Sequence, residues 1–435
     1  METLAPWLFL AASLVGALLT SNAYRPVYYP PQVAVVSFFA GWLVGELPFH
    51  TIAWQLVGTL VFASFGALDA WPGVVGLAVT ALSWLGLCGL HSRSLRAESV
   101  IEEALQKGLS PSYRRAILPE AWSAVGPAVN WRQIAVPVAR RPDVERIKNI
   151  AYLSEGGVTL KLDVYRHRAR PRNRPMLLQI HGGAWVVGSK NEQGLPLMTH
   201  MASQGWVCVS ADYRLSPRAT FPDHLIDVKK ALCWMRAHAK EFGGDPNFIA
   251  VTGGSAGGHL AAMVALTAND PIYQPGFETA DTSVQACVPF YGVYDFTNRD
   301  ELRESAGLVR FLEQRVLKVR FADGRDPFEK SSPLYRAHAE APPFLVVHGS
   351  RDSLVPVRTA RSFVEALRAI SRNPVVYAEI PGAQHAFEIF PSVRTSYVVH
   401  GAARFLDWVY SRQLAARSAR AEMTEVKADT AIGSN

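Results

Sequence analysis

A strand–turn–helix in the middle of the chain limits the possible folds more than any other stretch. Residues 248–252 are short, apolar and partly β-branched, which predicts a buried strand. Residues 259–266 are mostly small and apolar, which predicts a helix. The turn between them, Gly253-Gly-Ser-Ala-Gly257, is a G-x-S-x-G sequence. Its small residues predict a turn too tight for side chains, with the Ser255 hydroxyl presented on a strained corner.

A G-x-S-x-G sequence is not specific by itself. A Gly-rich turn can simply pack a helix against a sheet, or it can cradle a phosphate. No Gly-Lys-Ser/Thr follows the motif, which argues against a P-loop. The role of this turn therefore has to be inferred from motifs elsewhere in the chain.

The first ninety residues carry only four charged side chains and contain four apolar segments, at about 4–20, 33–45, 51–68 and 71–90. A helix needs about 20 apolar residues to cross the hydrocarbon core. The third and fourth segments come close, the first is marginal and the second is short. Because the segments are apolar all round, a soluble helical domain fits them less well. We therefore predict a transmembrane helical region over 1–90 with three or four spans, and the sequence leaves that number open.

Basic residues predict the orientation of the chain in the membrane. Several follow the last apolar segment, whereas the loops between the segments contain only Arg25. The positive-inside rule then places the remainder of the chain in the cytoplasm. The basic residues concerned are Arg93, Arg96, Lys107, Arg114 and Arg115.

The formal net charge of +7 is spread diffusely, without a basic stripe and interleaved aromatic side chains. We therefore predict that the chain does not bind nucleic acid. An anionic membrane surface remains a suitable partner for such a charge.

Beyond the apolar region, the sequence divides into three further parts. Residues 91–145 include an amphipathic helix at about 94–108 and form a linker, cap helices or a helix on the membrane surface. Residues 146–412 alternate predicted strands and helices, beginning with a hairpin at Glu155-Gly156-Gly157. Repeated βα units predict an α/β fold with a mostly parallel sheet covered on both faces. Residues 413–435 are small and polar and predict a disordered tail.

A serine nucleophile requires a base and an acid that orients the base. Asp352 follows the predicted strand at 344–347, and His385 follows the next one at 375–380. Both therefore lie on loops at the carboxyl edge of a parallel sheet, where such sites form. We predict that Ser255, Asp352 and His385 form a catalytic triad, in the chain order typical of this kind of sheet.

Other residues compete for these roles. His348 lies at a strand end and His259 lies one helical turn after the serine, so packing accounts for both better than catalysis. The competing acids are Asp295, Asp323 and Asp326.

A further loop predicts the oxyanion hole. The sequence His181-Gly-Gly-Ala-Trp185 follows a predicted strand at 176–180. Its small residues Gly182, Gly183 and Ala184 let backbone N–H groups approach a substrate carbonyl. The N–H of Ala256 is the fourth predicted donor.

These motifs, with Asp212-Tyr-Arg-Leu-Ser-Pro217 and Gln384-His-Ala-Phe387, resemble the hormone-sensitive-lipase-like family of α/β-hydrolase esterases over about residues 145–412. The resemblance implies the α/β-hydrolase fold and oxyanion donors at Gly183 and Ala184. One departure is that Ala184 stands where the family has a third glycine. Membrane-bound esterases of mycobacteria and related actinobacteria are similar in layout, with apolar spans before the hydrolase domain. The His-Gly-Gly-Ala-Trp form also resembles isoprenylcysteine methylesterases.

The family resemblance also implies a helical cap, built here from about 95–140 and from an insertion at 298–334. We predict that apolar residues of the insertion line an acyl pocket. They are Leu302, Leu308, Val309, Phe311, Leu312 and Val316.

The sequence thus predicts a membrane-anchored serine carboxylesterase or lipase that acts on lipophilic esters. No His, Cys or carboxylate cluster has metal-ligand spacing, so we predict neither a metal nor a cofactor. The alternatives are a methylesterase-like enzyme or another acyl hydrolase or transferase, and a catalytically silent hydrolase fold that serves as a binding module. The oligomeric state is not predicted.

Overall fold

The computed structural model describes residues 4–119, 121 and 128–432. Within these residues, eight strands form one sheet in the order β1-β2-β4-β3-β5-β6-β7-β8. β2 pairs antiparallel with β1 and with β4, and all other neighbouring strands are parallel. The strands are β1 (Val144–Glu155), β2 (Val158–His167), β3 (Arg174–Ile180), β4 (Val207–Ala211), β5 (Gly244–Gly254), β6 (Ala286–Phe290), β7 (Phe344–Gly349) and β8 (Val375–Ile380).

Fourteen α-helices lie within the same described residues. They are α1 (Leu4–Tyr24), α2 (Pro31–Glu46), α3 (Pro48–Ser64), α4 (Trp71–Leu95), α5 (Ala97–Gly108), α6 (Trp131–Ala135), α7 (Leu195–Ser203), α8 (Asp223–Ala237), α9 (Ala239–Phe242), α10 (Ala256–Leu266), α11 (Ala306–Phe311), α12 (Asp326–Lys330), α13 (Val357–Ile370) and α14 (Val393–Ile432).

Helices cover both faces of the sheet, because successive strand side chains point to opposite sides. In β3, Leu178 belongs to the core shared with α8, α10 and α13, whereas its neighbour Leu177 belongs to the core shared with α5, α7 and α14. The predicted hairpin joins β1 to β2 through Gly156 and Gly157, both at positive φ. The α/β fold predicted from the alternating pattern is confirmed.

The helices α1, α3 and α4 have polar contacts inside and apolar side chains outside. The hydroxyls of Thr20 and Ser83 lie 2.8 Å apart between α1 and α4, and Thr80 donates to Ser13 at 2.9 Å. On the outer surface, Leu18 is 68% exposed and Trp54 is 76% exposed. Helices packed through small and polar residues with large apolar side chains outward are typical of a lipid environment.

Among the described residues, two helical stretches have the length and apolar composition to cross a membrane, Leu4–Tyr24 and Trp71–Gly108. A third span would need α2 and α3 together, and these two helices meet at a bend of 94°. The structure therefore offers two or three spans. The predicted transmembrane region with three or four spans stays a prediction.

The predicted cap needs a correction as well. α5, which begins the segment 95–140, packs on the sheet between β8 and α14: a Cβ on Gly108 would lie 2.7 Å from Val376, and one on Gly401 would lie 2.2 Å from Ile101. This helix therefore belongs to a sheet face and not to a cover over the strand ends. Residues 120 and 122–127 of this segment lie outside the described residues.

The insertion at 298–334 contains α11 and α12, but two of its predicted pocket residues lie in the protein core. Leu312 and Val316 are fully buried in the cluster that contains α8 and α10. At the other end of the domain, α14 continues to Ile432 through the region predicted as a disordered tail. Residues 1–3 and 433–435 lie outside the described residues.

A buried ion pair joins α2 to the α/β domain. Glu46, the last residue of α2, contacts the guanidinium of Arg394 in α14 and accepts a hydrogen bond from Ser392 Oγ at 3.1 Å. Both charged side chains are almost completely buried. Such pairs are sensitive to the loss of one partner, because the other charge then stays buried without compensation.

We expect Glu46→Ala to lower the free energy of unfolding by about 3–5 kcal/mol, since it leaves Arg394 buried and unpaired. Denaturant unfolding in detergent micelles, followed by tryptophan fluorescence, measures this change. Glu340→Ala is the matched control, because Glu340 pairs with Arg372 at the surface with both side chains more than 70% exposed. The control should cost no more than about 1 kcal/mol. Equal losses in the two variants would contradict a buried, structurally important pair.

Candidate active site

Ser255 stands between the last residue of β5 and the first residue of α10. Its φ of 58° and ψ of −122° are rarely adopted by residues with a side chain. A Cβ on Gly253 would lie 2.5 Å from the carbonyl oxygen of Gly257, and one on Gly257 would lie 2.1 Å from that of Ile180. Only glycine fits these positions, so the tight packing holds Ser255 on the strained corner of a nucleophile elbow.

Asp352 and His385 lie on the loops after β7 and β8, as the sequence predicts. Nδ1 of His385 is 2.7 Å from Oδ2 of Asp352, and both side chains are buried. The backbone N–H groups of Leu354 and Val355 donate to the other carboxylate oxygen at 2.9 and 2.8 Å. The carboxylate therefore has a fixed direction, and it orients the imidazole with Nε2 as the free ring nitrogen.

The surroundings of Asp352 keep it ionised. Burial alone would raise the pKa of this carboxyl, but the charge of His385 and hydrogen bonds from His348 and His385 hold the pKa well below its usual range. His348 Nε2 lies 3.3 Å from the same Oδ2 and 3.0 Å from the carbonyl oxygen of Val355. His348 is thus a fully buried support behind the acid.

Three of the other competing residues have structural partners, and the fourth, Asp323, lies in a short turn of the insertion. His259 Nε2 lies 2.7 Å from the carbonyl oxygen of Ser331, and burial lowers the pKa of His259 to about 3. The Asp295 carboxylate accepts backbone hydrogen bonds from Thr297 and Arg299 at the start of the insertion. Asp326 pairs with Lys330 on exposed α12. Asp352 and His385 remain as the candidate acid and base, because they contact each other directly on neighbouring loops at the sheet edge.

Tyr291, which no sequence motif indicated, connects the elbow to the histidine. Its ring centroid lies 4.6 Å from that of His385, and a Cβ on Gly254 would lie 2.6 Å from its hydroxyl oxygen. The sequence signal that could have identified Tyr291 is its position directly after β6, at the same sheet edge.

Within the described residues no hydrogen bond joins the Ser255 hydroxyl to His385. Catalytic hydrogen bonds of this kind are often long when no substrate is bound.

The Tyr291 hydroxyl donates to Glu388, a second residue that the motifs did not indicate. Burial raises the pKa of Glu388 to about 7, although hydrogen bonds from Tyr291 and the backbone and the charge of His385 lower it. Burial also keeps the pKa of Tyr291 well above its usual value, so the phenol stays protonated and can donate.

The loop after β3 lies directly against the elbow: a Cβ on Gly182 would be 2.6 Å from the carbonyl oxygen of Gly254. The N–H of Gly182 donates to Gln193 Oε1 at 2.6 Å, which removes it from the predicted set of oxyanion donors. In the part of the chain that is described, the N–H groups of Gly183, Ala184 and Ala256 have no hydrogen-bond partner. They remain the candidate donors, and Ala184 adopts a positive φ of 51° in spite of its side chain.

The apolar N-terminal region contributes to the site through α2. The Phe38 ring meets the His385 ring edge-on, with centroids 6.1 Å apart. Trp42 Nε1 donates to the carbonyl oxygen of Ala386 at 2.9 Å, across 344 residues of sequence. The sequence contains no local signal for these contacts, because an apolar helix packs as readily on lipid as on protein.

These groups together support nucleophilic acyl transfer: a partly exposed serine on a helix N-terminus, an oriented imidazole, an ionised carboxylate and free backbone donors. Among the described residues, no group of three or more His, Cys, Asp or Glu side chains forms a candidate metal site.

Comparisons with known proteins give a consistent result. Residues 162–367 match the BD-FAE family model. The chain is 43% identical over 419 residues to the probable carboxylic ester hydrolase LipM of Mycobacterium tuberculosis, covering 93% of this chain and 94% of LipM. It is 37% identical over 391 residues to the esterase LipQ of the same organism, covering 88% and 86% of the two chains.

Among solved structures, the apo form of Thermogutta terrifontis esterase 2 is 30% identical with a TM-score of 0.49, covering 61% of this chain and 92% of that one. The match to LipM, at 93% of the chain, necessarily extends into the apolar N-terminal region.

The two histidines on Asp352 give a matched test of the site. We expect His385→Gln to lower kcat on a chromogenic ester by about 10⁴–10⁶ if His385 is the base, because the variant cannot accept the serine proton. His348→Gln should cause a far smaller loss, since Asp352 keeps its backbone donors and its bond to His385. Comparable losses in both variants would contradict the assignment of His385 as the base.

Proposed function

Because the chain belongs to the hormone-sensitive-lipase-like family of α/β-hydrolase esterases, we propose that it is a membrane-anchored serine carboxylesterase or lipase with Ser255 as its nucleophile. The observation that carries the proposal is the buried His385–Asp352 pair, 2.7 Å apart, at the same sheet edge as the strained serine. The substrates are lipophilic carboxylic esters.

In the proposed reaction, Ser255 Oγ bonds to the ester carbonyl carbon while His385 Nε2 accepts the hydroxyl proton. The N–H groups of Gly183, Ala184 and Ala256 stabilise the negative oxygen of the tetrahedral intermediate. The C–O bond to the alcohol then breaks, and His385 returns the proton to the departing oxygen. Water, activated by His385, cleaves the acyl-enzyme in the same manner and releases the acid. Throughout the reaction, the ionised carboxylate of Asp352 stabilises the positive charge of the His385 imidazolium.

Membrane anchoring is supported by the two long apolar helices and by the outward apolar surface of α1, α3 and α4. The basic residues after α4 favour a cytoplasmic hydrolase domain. An enzyme held at the bilayer lies beside esters that dissolve in lipid, which favours lipophilic substrates.

Labelling with a fluorophosphonate probe tests the nucleophile. We expect the wild type in a membrane fraction to be labelled and Ser255→Ala to lose the label, because an activated serine in such enzymes reacts far faster than an ordinary hydroxyl. Ser362→Ala, a surface serine bonded to Asp300, is the control and should be labelled like the wild type. A folded wild-type protein that never takes the label would favour the catalytically silent hydrolase fold.

Extraction tests the anchor. We expect the protein to stay in the membrane pellet after high-salt and alkaline washes and to be released by detergent, since apolar helices in lipid do not depend on ionic contacts. Release by salt alone would show that the association is peripheral and would refute the integral anchor.

A further inference from the structure

The helix α2 lies across the catalytic side of the hydrolase domain and contacts it along its whole length. At its start, a Cβ on Gly307 of α11 would be 2.6 Å from Pro31. The carbonyl oxygen of Ala34 lies 3.4 Å from Ser353 Oγ, next to the catalytic acid. Phe38 and Trp42 then contact the His385 loop, and Glu46 pairs with Arg394.

The two faces of α2 have different surroundings. Phe38 is 6% exposed and packs on His385, whereas Val36, two residues earlier and on the far side of the helix, is 67% exposed. Phe39 and Leu43 are exposed as well, although the Phe39 ring also contacts the Phe38 ring with centroids 4.8 Å apart. One side of α2 therefore contacts the catalytic loops. Its other side is apolar and exposed, like the outer surface of α1, α3 and α4.

The position of Phe38 bears on the reaction itself. His385 has to reach both the Ser255 oxygen and the departing alcohol oxygen, so the substrate groups bonded to the reacting carbonyl must pass close to the imidazole. Phe38 meets this imidazole edge-on, and Trp42 stacks on Phe38 with ring centroids 5.3 Å apart. The two rings therefore occupy space that a large acyl or alcohol group would need.

We propose that α2 forms the roof of the ester pocket and that Phe38, supported by Trp42, is a specificity-determining residue that limits the size of the ester. This inference rests on the proposed ester hydrolysis at Ser255. It assigns part of the substrate site to the apolar N-terminal region, more than 300 residues before the histidine that it covers.

Contacts near both ends of α2 and along the helix hold the roof in a fixed position. The buried Glu46–Arg394 pair holds its C-terminal end, and the Trp42 hydrogen bond to Ala386 holds its middle. Tyr29, just before the helix, lies under the guanidinium of Arg303 at 4.0 Å from the ring centroid. A roof held at several points gives the pocket a defined size, which is what selection between esters requires.

The test compares Phe38→Ala and Phe38→Trp with the control Val36→Ala in the full-length protein in detergent. The acyl group is varied with p-nitrophenyl acetate and octanoate, and the alcohol with ethyl and octyl butyrate. We expect Phe38→Ala to raise the long-to-short ratio of kcat/KM in at least one pair by about tenfold or more, the scale of a changed hydrophobic pocket. Phe38→Trp should lower the same ratio, and Val36→Ala should leave both ratios unchanged, because Val36 faces away from the site.

Each outcome has a distinct meaning. Opposite shifts for the two Phe38 variants support the roof, because general destabilisation lowers both rates and leaves their ratio unchanged. Ratios in both Phe38 variants equal to those of Val36→Ala overturn the roof while leaving the esterase in place. If Phe38→Ala does not fold, as judged by lost fluorophosphonate labelling, Phe38→Trp decides by the same ratios. A wild type that hydrolyses none of the four esters overturns the proposed function, and the roof with it.

Discussion

The end of β5 and the start of α10 pack so closely on the end of β3 that no side chain fits between their backbones. A Cβ on Gly253 or Gly257 would collide with a backbone carbonyl oxygen. This contact forces Ser255 into its strained conformation and sets the first amides of α10 beside the loop of Gly183 and Ala184. The proposed oxyanion donors, the proposed nucleophile and the adjoining strand ends all take their positions from this contact.

Two buried carboxyl groups near the elbow, Asp352 and Glu388, differ in their protonation. Asp352 is buried between two histidines, and the ionised carboxylate is favoured because both imidazoles and two backbone N–H groups face it. Glu388 lies on the far side of Tyr291, where burial favours the neutral acid. Burial favours the neutral form of both carboxyl groups, but the charges and hydrogen bonds around Asp352 outweigh it, whereas those around Glu388 do not.

The apolar N-terminal region has two roles in this arrangement. Helices α1, α3 and α4 present large apolar side chains outward, while α2 turns away from α3 by 94° and covers the catalytic loops. Its one buried charge, Glu46, is matched by Arg394, which accounts for a carboxylate in such an apolar segment. The apolar N-terminal region and the hydrolase domain therefore share an interface beside the His385 loop.

The sequence by itself determined the elbow, the parallel sheet and the loops that carry Asp352 and His385. Each of these depends on local patterns: strand and helix periodicity, glycines at a tight turn, and polar residues placed just after strands. Tertiary structure alone decided that Gly182 donates to Gln193, that Tyr291 bridges Gly254 and His385, that α5 packs on the sheet, and that α2 covers the site. The physical reason is that an apolar helix has the same pattern whether lipid or protein covers it, and only contacts between residues far apart in the chain distinguish the two.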